Sequence, residues 1–375
     1  MVIPKKVGSM RFKIAVLPGD GIGPEVCREA VRVLRALNAF YNCEFVFEEH
    51  PVGGAAIRSF HTPLPEATLH ACRNSEAVLL GAVGGPEFDA LRGEQRPESG
   101  LLRLRSALGG FANLRPAAAY RPILDCSPLQ KSRVEGADIL IVRELLGGLY
   151  FSQPRGFGDK EAYAYNTMGY SVEEIERIAH VAFQQARLRK KRVTSVDKAN
   201  VLETSQLWRR TVTRVGQSYP DVKLDHVYVD ACAMMLVSSP TRFDVILTEN
   251  LFGDILSDEA AAITGSLGML ASATIGGSVD LYEPVHGSAP DIAGMGIANP
   301  LGAIASAAML LRHSAGMHHE AGDLEAAIQQ VLNDGHRTAD LRHGNGPTVS
   351  TKEMGELVEQ AFVALLDRRF AYHAV

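Results

Sequence analysis

Short apolar runs alternate with longer helix-like segments along most of this chain, and this alternation constrains its fold more than any other feature. Runs with strand character occur at residues 12–16, 77–80, 139–142, 193–196, 226–229 and 245–247. The intervening segments carry apolar residues at helical spacing, as in the one that Pro24 opens. Strands separated by helices need crossover connections, which join parallel strands. The pattern therefore predicts an α/β fold with a mixed, largely parallel sheet.

The size and composition of the chain narrow its class. Its 375 residues favour two domains, because single hydrophobic cores stop growing at roughly 250–300 residues. A net charge of −5 gives no electrostatic reason to expect a nucleic-acid or anionic-membrane partner, and no apolar stretch is long enough to span a bilayer. Widely spaced cysteines without a C-x-x-C pair indicate a reducing compartment, and residues 1–9 lack the apolar core of a secretory signal. We therefore expect a cytoplasmic protein.

Residues 150–170 depart from the alternation. This segment is rich in Gly, Phe and Tyr, and residues 162–165 alternate in polarity, which predicts a hairpin-like arm. Such an arm has little core of its own to pack on, so it favours a dimer. Directly after it, Ser171 and Glu174 have the spacing of a capping box, which predicts a helix from there to about Arg189.

Three aspartates are candidate metal ligands. Asp254 and Asp258 are four residues apart, so on a helix they share one face, where two unpaired carboxylates would repel each other. Asp230 follows an apolar run, and we expect it to end a strand, where parallel sheets place their sites. Ligands that are all oxygen favour Mg²⁺ or Mn²⁺. An equally supported alternative is that Asp254 and Asp258 are acids of a first helical turn that stabilise the helix dipole.

A second set of candidates is cationic or phenolic. Arginines such as Arg105, Arg115 and Arg143 hold carboxylates in bidentate fashion and would suit a di-acid, although their spacing alone does not select them among 38 Lys and Arg. Tyr150 follows two glycines, and Lys198 ends a strand-like run. A lysine there can act as a general base where nearby positive charge lowers its pKa. The alternative for Lys198 is an ordinary surface lysine.

Glycine-rich segments at residues 19–23, 81–87 and 286–294 are candidate nucleotide-binding loops. None of them matches G-x-G-x-x-G, so the chain has no Rossmann nucleotide site by motif. Glycine allows close backbone approach to a phosphate or a base, but tight turns use glycine as well. By themselves these loops are weak indications.

Taken together, the residues resemble the isocitrate/isopropylmalate family of β-decarboxylating dehydrogenases, over about Phe12 to Leu365. The resemblance is carried by residues 19–25, 143–151, 195–200, 250–258 and 286–299. It implies a two-domain isopropylmalate dehydrogenase-like fold, distinct from the Rossmann fold. Residues 1–110 and 265–375 would form the larger domain with most of the NAD site. Residues 111–264 would form the second domain, with the dimer interface and the arm at about 150–170.

The resemblance also implies a role for individual residues in a homodimer with shared active sites. Lys198 and Asp230 would come from the neighbouring subunit, and Tyr150, Lys198 and Asp230 would be catalytic. Mg²⁺ or Mn²⁺ would be held by Asp230, Asp254 and Asp258. The substrate-binding residues would be Arg105, Arg115, Arg143, Asp230, Leu101, Leu102 and Val201. The NAD-binding residues would be Gly85, Pro86, Glu98, Glu283, His286, Gly287, Ser288, Ala289, Pro290, Asp291 and Asn299.

The substrate and cofactor preferences follow from a few of these positions. Residues 97–102 look like the isopropylmalate version of the loop before Arg105, and Leu101, Leu102 and Val201 would form an apolar wall. The resemblance therefore implies NAD-dependent oxidative decarboxylation of (2R,3S)-3-isopropylmalate to 4-methyl-2-oxopentanoate and CO₂, in leucine biosynthesis. Asp291 would repel a 2′-phosphate, which favours NAD over NADP. The alternatives are the same chemistry on D-malate, tartrate or homoisocitrate, and, more remotely, a non-catalytic regulatory subunit.

Overall fold

The computed structural model describes residues 10–41, 43–342 and 346–373. The segment for which the sequence predicts no secretory signal, residues 1–9, lies outside the described residues. The chain divides into two compact units, one within Met1–Gly109 and Ser266–Val375 and the other formed by Gly110–Gly265. The strands are β1 (Met10–Gly19), β2 (Cys43–Glu49), β3 (Ala77–Ala82), β4 (Ala112–Ala118), β5 (Asp138–Glu144), β6 (Arg155–Phe157), β7 (Ala164–Asn166), β8 (Arg192–Asp197), β9 (Lys223–Tyr228), β10 (Val245–Thr248), β11 (Ala271–Ile275) and β12 (Asp280–Pro284).

The helices cover the sheets and connect their strands. They are α1 (Gly23–Ala36), α2 (Gly53–Phe60), α3 (Glu66–Arg73), α4 (Pro97–Leu108), α5 (Lys131–Val134), α6 (Val172–Arg187), α7 (Glu203–Gly216), α8 (Val229–Ser238), α9 (Asn250–Thr264), α10 (Leu301–His313), α11 (His318–Asn333) and α12 (Thr351–His373). Among the described residues, no helix has both the length and the apolar character needed to cross a bilayer.

In the first unit, five strands lie in the order β2–β1–β3–β12–β11. The pairs β1–β2, β1–β3 and β3–β12 are parallel, and β11–β12 is antiparallel. Helix α1 starts at the turn after β1 and buries one face, which includes Val26, Ala30 and Val33. β3 is buried along its whole length, as expected for a strand covered on both faces.

In the second unit, five strands lie in the order β4–β5–β10–β8–β9. Here β4–β5 is antiparallel, while β5–β10, β10–β8 and β8–β9 are parallel. The register places Arg143 of β5 next to Thr248 of β10, and Thr248 next to Val196 of β8. The carboxyl ends of these three parallel strands therefore lie side by side, and polar side chains that follow them can meet there. The predicted mixed, largely parallel sheet is confirmed.

The arm and the capped helix that follows it are both present. β6 and β7 form a separate antiparallel pair, in which Gly156 faces Tyr165. The side chains of Phe157 and Tyr163 on this hairpin are exposed to solvent. The Ser171 side chain accepts the N–H of Glu174, whose carboxylate accepts the N–H of Ser171, so the predicted capping box is confirmed. The helix ends at Arg187, two residues before the predicted end.

Two predicted local structures are wrong. Asp230 does not end a strand, because β9 stops at Tyr228 and Asp230 lies in the first turn of α8. The apolar run that suggested a strand continues into a helix, and a short apolar run does not distinguish the two. Residues 97–102 are not a loop but the first turns of α4. Pro97 opens this helix at a position where the missing N–H costs nothing.

Candidate active site

Asp254 is the centre of a group of polar side chains in the second unit. Its Oδ1 accepts from Arg143 Nη1 at 2.5 Å and from Arg115 Nη1 at 3.4 Å. Its Oδ2 accepts from the hydroxyl of Tyr150 at 2.8 Å. These residues come from β5, β4, a 3-10 turn at Gly148–Tyr150 and α9. The structure therefore brings together four residues that the sequence proposed separately for substrate, metal and proton transfer.

Close approach of α9 to β5 makes this grouping possible. Gly253 packs directly against the Arg143 side chain, and a Cβ atom added at Gly253 would lie 2.6 Å from Arg143 Cγ. Any larger residue would push the helix, and Asp254 with it, away from the guanidinium group. Arg143 is only 1% exposed, so its charge is held almost entirely by protein groups.

Arg115 links the two helical aspartates. Its Nε donates to Asn113 Oδ1 at 2.7 Å, and its Nη1 donates to Ser257 Oγ at 2.7 Å. The same Nη1 lies 3.6 Å from Asp258 Oδ1. Burial raises the pKa of Asp258, an effect that Arg115 opposes and Asp254 reinforces. One guanidinium group thus reduces the repulsion between two carboxylates on one helix face, and these carboxylates are the oxygen donors predicted for a hard cation.

The helix-dipole explanation for Asp254 and Asp258 is wrong. Helix α9 begins at Asn250 and has no acidic residue in its first turn, where the dipole acts. That role belongs to Glu249, whose carboxylate accepts the N–H groups of Leu251 and Phe252. Asp254 and Asp258 therefore need another explanation, and an all-oxygen donor pair fits Mg²⁺ or Mn²⁺.

Lys198 and Asp230 form a second group. Lys198 Nζ lies 2.9 Å from Asp230 Oδ1, and the Asp230 side chain is 63% exposed. The hydrogen bond from Lys198 is the main reason that the pKa of Asp230 is lowered. Within the described part of the chain, no three His, Cys, Asp or Glu residues are close enough to hold a metal ion. Asp230 accordingly does not join Asp254 and Asp258 in the single described chain.

Asn250 is a central residue of the site that sequence reasoning did not assign. Its Oδ1 accepts from Arg143 Nε at 3.1 Å and from Nη2 at 2.7 Å. Its Nδ2 donates to the carbonyl oxygens of Leu145 at 2.9 Å and Gly147 at 3.1 Å. The amide therefore fixes both Arg143 and the turn that carries Tyr150. Its position just past the carboxyl end of the buried strand β10, separated from it only by Glu249, was the signal available in the sequence.

Buried carboxylates support this arrangement from behind. Tyr170 donates its hydroxyl to Glu249 at 3.1 Å and accepts the N–H of Asn250 at 3.0 Å. Glu144 accepts the N–H of Gly147 at 2.8 Å, which holds the same turn from the other side. Burial raises the pKa of both Glu144 and Glu249, and their backbone hydrogen bonds oppose that rise. These residues orient the site without being candidates for substrate contact.

Tyr150 has the properties of a proton donor. Burial, followed by its hydrogen bond to Asp254, raises the pKa of its hydroxyl to about 12. The hydroxyl therefore keeps its proton at neutral pH.

The remaining substrate candidates are placed as follows. In the first unit, Arg105 Nη2 lies 2.5 Å from Glu283 Oε1, so two residues predicted for substrate and for NAD form a buried ion pair. Leu101 is half-buried and packs against a core cluster that includes Leu64. Leu102 is also half-buried. In the second unit, Val201 is 60% exposed.

The predicted NAD loops lie in the first unit. Residues 285–300 form an irregular connection between β12 and α10. Within it, His286 is buried, its Nδ1 is 2.9 Å from the carbonyl oxygen of Gly287, and its Nε2 has no hydrogen-bond partner among the described residues. Burial lowers the pKa of His286, which favours the neutral ring. An unpaired buried nitrogen in a glycine-rich loop fits a hydrogen bond to a bound nucleotide.

The other NAD candidates differ in their exposure and in the hydrogen bonds that their side chains make. Asp291 and Pro290 are exposed on this connection. Asn299 instead uses its side chain within the protein, because Oδ1 accepts the N–H of Leu301 and Nδ2 donates to Asp340. The separate loop at Gly84–Pro86 is held by a hydrogen bond from Gly84 N to Asp20 Oδ2 at 2.9 Å. The remaining candidates on these loops and elements are Gly85, Glu98, Ser288 and Ala289.

A mixed, largely parallel α/β fold that groups two arginines and a tyrosine around one half-buried aspartate, with a second aspartate on the same helix face, is the arrangement expected of metal-assisted enzymes that act on carboxylic acids. A family model described as isocitrate/isopropylmalate dehydrogenase matches residues 13–358. The chain belongs to this family of decarboxylating dehydrogenases. The predicted family, with NAD and a divalent metal ion as its cofactors, is therefore confirmed.

Relatives and solved structures agree with this assignment. The chain is 53% identical over 350 residues to a 3-isopropylmalate dehydrogenase of Wolinella succinogenes, which covers 93% of this chain and 97% of that one. It is 55% identical over 353 residues to a 3-isopropylmalate dehydrogenase of Clostridium pasteurianum, covering 92% and 98%. The crystal structure of isocitrate dehydrogenase from Methylococcus capsulatus superposes with a TM-score of 0.84 at 36% identity, covering 94% and 99%. The predicted fold is thus confirmed by a solved relative.

Proposed function

We propose that this chain catalyses NAD-dependent oxidative decarboxylation of (2R,3S)-3-isopropylmalate to 4-methyl-2-oxopentanoate and CO₂, a step of leucine biosynthesis. The observation that carries the proposal is the grouping of Arg115, Arg143 and Tyr150 around Asp254. It is the machinery expected for a dicarboxylic hydroxy acid, and near full-length relatives named for this activity are more than 50% identical.

Substrate recognition combines charge and an apolar wall. Arg115 and Arg143 bind carboxylate groups of the substrate, and Arg105 is the third arginine proposed for this role. Leu101, Leu102 and Val201 accommodate the isopropyl group. A third carboxylate, as in isocitrate, would be buried against leucine without a partner, which is costly. Discrimination against a smaller alkyl group is weaker, because one methylene is worth only about 1–3 kcal/mol.

The cofactors fit the residues that would hold them. Asp254 and Asp258, with Asp230 of a second subunit, provide oxygen ligands for Mg²⁺ or Mn²⁺. The loops with Gly85, Pro86 and Glu98 and with residues 286–291 hold NAD, and Glu283 and Asn299 flank them. When bound, the metal ion polarises the hydroxyl and carboxylate oxygens of the substrate, and NAD takes up the hydride.

Two side chains move protons. Lys198 accepts the proton of the substrate hydroxyl on its neutral amine as C2 is oxidised to a ketone, and Asp230, 2.9 Å away, orients this amine and stabilises the ammonium group that forms. The new ketone lies β to the second carboxylate, so CO₂ can leave. Tyr150, which holds its proton tightly, supplies it to the carbon that has lost CO₂.

A homodimer with shared sites is the quaternary structure that we propose. Exposed large apolar side chains of the second unit are concentrated on the arm and on α8 and α9, and contiguous apolar patches mark interaction surfaces. Six of the nine such side chains among the described residues of this unit lie there, namely Phe157, Tyr163, Tyr165, Met234, Val237 and Ile255, and the other three are Leu188, Val201 and Tyr228. In this proposal, the second domain (residues 111–264) supplies the interface, and the larger domain (residues 1–110 and 265–375) supplies most of the NAD site.

The five cysteines are free, which supports a reducing, cytoplasmic location.

The experiment that tests the activity is a substrate and cofactor panel. NADH or NADPH formation is measured with Mn²⁺ or Mg²⁺ on 3-isopropylmalate, isocitrate, homoisocitrate, D-malate and tartrate. We expect metal-dependent turnover with 3-isopropylmalate and NAD. An equal or higher kcat/KM on D-malate, tartrate or homoisocitrate would be consistent with the proposed chemistry but would reject 3-isopropylmalate as the substrate. No turnover with any of the five substrates would favour a non-catalytic regulatory subunit.

Hybrid dimers test the shared site. Tyr150→Phe and Lys198→Ala chains are each expected to be nearly inactive. After random reassociation, half of the dimers carry one of each chain and one intact site, so about a quarter of wild-type activity should return. No recovery upon mixing would show that each site is built from one chain.

A further inference from the structure

The glycine-rich turn of residues 19–23 follows β1 and is not explained by the proposed chemistry. It ties together the two loops proposed to bind NAD, although it carries no nucleotide motif. All contacts involved lie within the first unit, between the turn, helix α2, the loop at Gly84–Pro86 and the connection at residues 285–300.

Asp20 connects the turn to the first of these loops. Its side chain is buried, and its Oδ2 accepts the N–H groups of Gly84 at 2.9 Å and Gly54 at 2.7 Å. Its Oδ1 accepts the N–H of Ala55 at 2.7 Å. A single carboxylate therefore fixes the first turn of α2 and the backbone directly before Gly85 and Pro86. A neutral side chain of equal size cannot accept all three of these backbone hydrogen bonds, because an amide has only one oxygen.

Gly21 and Ile22 connect the turn to the second loop. The N–H of Ile22 donates to the carbonyl oxygen of Ser288 at 2.8 Å. Gly21 has φ +56°, and a Cβ atom added there would lie 1.9 Å from the same oxygen. Glu25 adds a contact, because its Oε1 accepts the N–H of Gly294 at 3.2 Å. The second loop can adopt its position only because residue 21 has no side chain.

We propose that the turn of residues 19–23 is a positioning element of the NAD site, which sets the separation of the two NAD loops through Asp20 on one side and Gly21 with Ile22 on the other. The inference rests on the proposed NAD-binding function. Asp20 and Gly21 are positioning residues here, since they act on the cofactor through the loops that they hold. Their replacement should weaken NAD binding and leave 3-isopropylmalate binding nearly unchanged.

The first test compares Gly21→Ala with Gly316→Ala in the full-length protein. Gly316 also has a left-handed backbone, with φ +67°, but a Cβ there would meet no described atom within 4 Å. Both variants therefore carry the conformational strain of alanine, and only Gly21→Ala also displaces Ser288. NADH fluorescence gives Kd, and initial rates give kcat and both KM values. We expect Gly21→Ala to raise the Kd for NADH at least tenfold above that of Gly316→Ala, roughly the effect of one lost contact of 1.4 kcal/mol.

A second pair remains informative if Gly21→Ala does not fold. Asp20→Asn is compared with Asp244→Asn, because Asp244 is also a buried carboxylate that accepts backbone N–H groups, those of Lys190 and Arg192. Asp20→Asn should raise the KM for NAD and the Kd for NADH, with a KM for 3-isopropylmalate within about twofold of wild type, whereas Asp244→Asn should change neither cofactor constant. Equal NADH affinity within each pair, with a wild type that binds NADH, would overturn this inference alone. A wild type that binds no NADH would overturn the proposed function and this inference with it.

Discussion

Replacing Tyr150 with Phe removes one hydroxyl from the group around Asp254 and leaves the rest in place. The guanidinium carbon of Arg143 lies 5.7 Å from the centroid of the Tyr150 ring, so the ring of Phe can keep this packing. Asp254 retains its contacts with Arg143 and Arg115. The groups proposed to bind substrate and metal therefore survive, and we expect the KM for 3-isopropylmalate to change by less than about threefold.

The expected loss falls on kcat instead. A positioned general acid contributes about 10²–10⁴ to a rate, which corresponds to about 3–5 kcal/mol of barrier. The lost hydrogen bond to a carboxylate is worth about 1.5–3 kcal/mol, and that cost affects the ground state as well as the transition state. Because the pKa of Tyr150 is about 12, wild-type kcat should show no loss from ionisation of this tyrosine below about pH 10.

The assay is NADH formation at saturating substrate, NAD and Mn²⁺ across a pH series, with the thermal midpoint measured in parallel. Tyr219→Phe is the matched control, since it also removes a tyrosine hydroxyl from a part-buried side-chain hydrogen bond, the one with His180 Nδ1 at 2.9 Å. This control should keep nearly full kcat. A Tyr150→Phe enzyme with kcat within about threefold of wild type would refute the assignment of Tyr150 as proton donor.

Three further predictions concern the metal, the cofactor and acid stability. Asp258→Asn should weaken Mn²⁺ binding at least tenfold, roughly the least expected for a lost ligand, and a titration followed by electron paramagnetic resonance that shows no change would remove Asp258 from the ligand set. Asp291→Lys combined with Ile292→Tyr should shift the ratio of kcat/KM values toward NADP by roughly 10²-fold, and an unmoved ratio would contradict the role of Asp291. Burial lowers the pKa of His313 from 6.5 to about 4, so this imidazole is harder to protonate in the folded chain than in the unfolded chain. Stability present above pH 6.5 should therefore decrease as pH falls toward about 4, by up to about 3 kcal/mol, and the thermal midpoint of His313→Gln should decline less steeply over that range.

Local patterns in the sequence predicted the local structure well. The capping box at Ser171 depends on residues three apart, and the buried strands β3, β5 and β10 depend on short apolar runs. Errors arose where one local pattern fits two structures, as with the apolar run before Asp230 and the segment that Pro97 opens. Local patterns alone did not assign a role to individual site residues, and those assignments came from the family resemblance.

The hydrogen bonds that hold the site residues in place could not be predicted from local sequence patterns. Asn250 contacts Arg143 across 107 positions, and Tyr170 contacts Glu249 across 79. Periodicity describes which face of an element is buried, but not which buried polar groups meet. The partners of Asn250 follow only from the register that sets β5 beside β10. Likewise, the role of Asp20 becomes visible only when α2 and Gly84 are seen around its carboxylate.

The pairing of β5 with β10 also governs when activity can appear as the chain folds. The contacts of Arg115, Arg143 and Tyr150 with Asp254 span 139, 111 and 104 positions, so each closes a long loop. Contacts of this range form slowly, whereas helices and neighbouring strands form early. Refolding chains should therefore regain helical circular dichroism well before they regain turnover, and nascent chains acquire their chemistry only as one of the final events of folding.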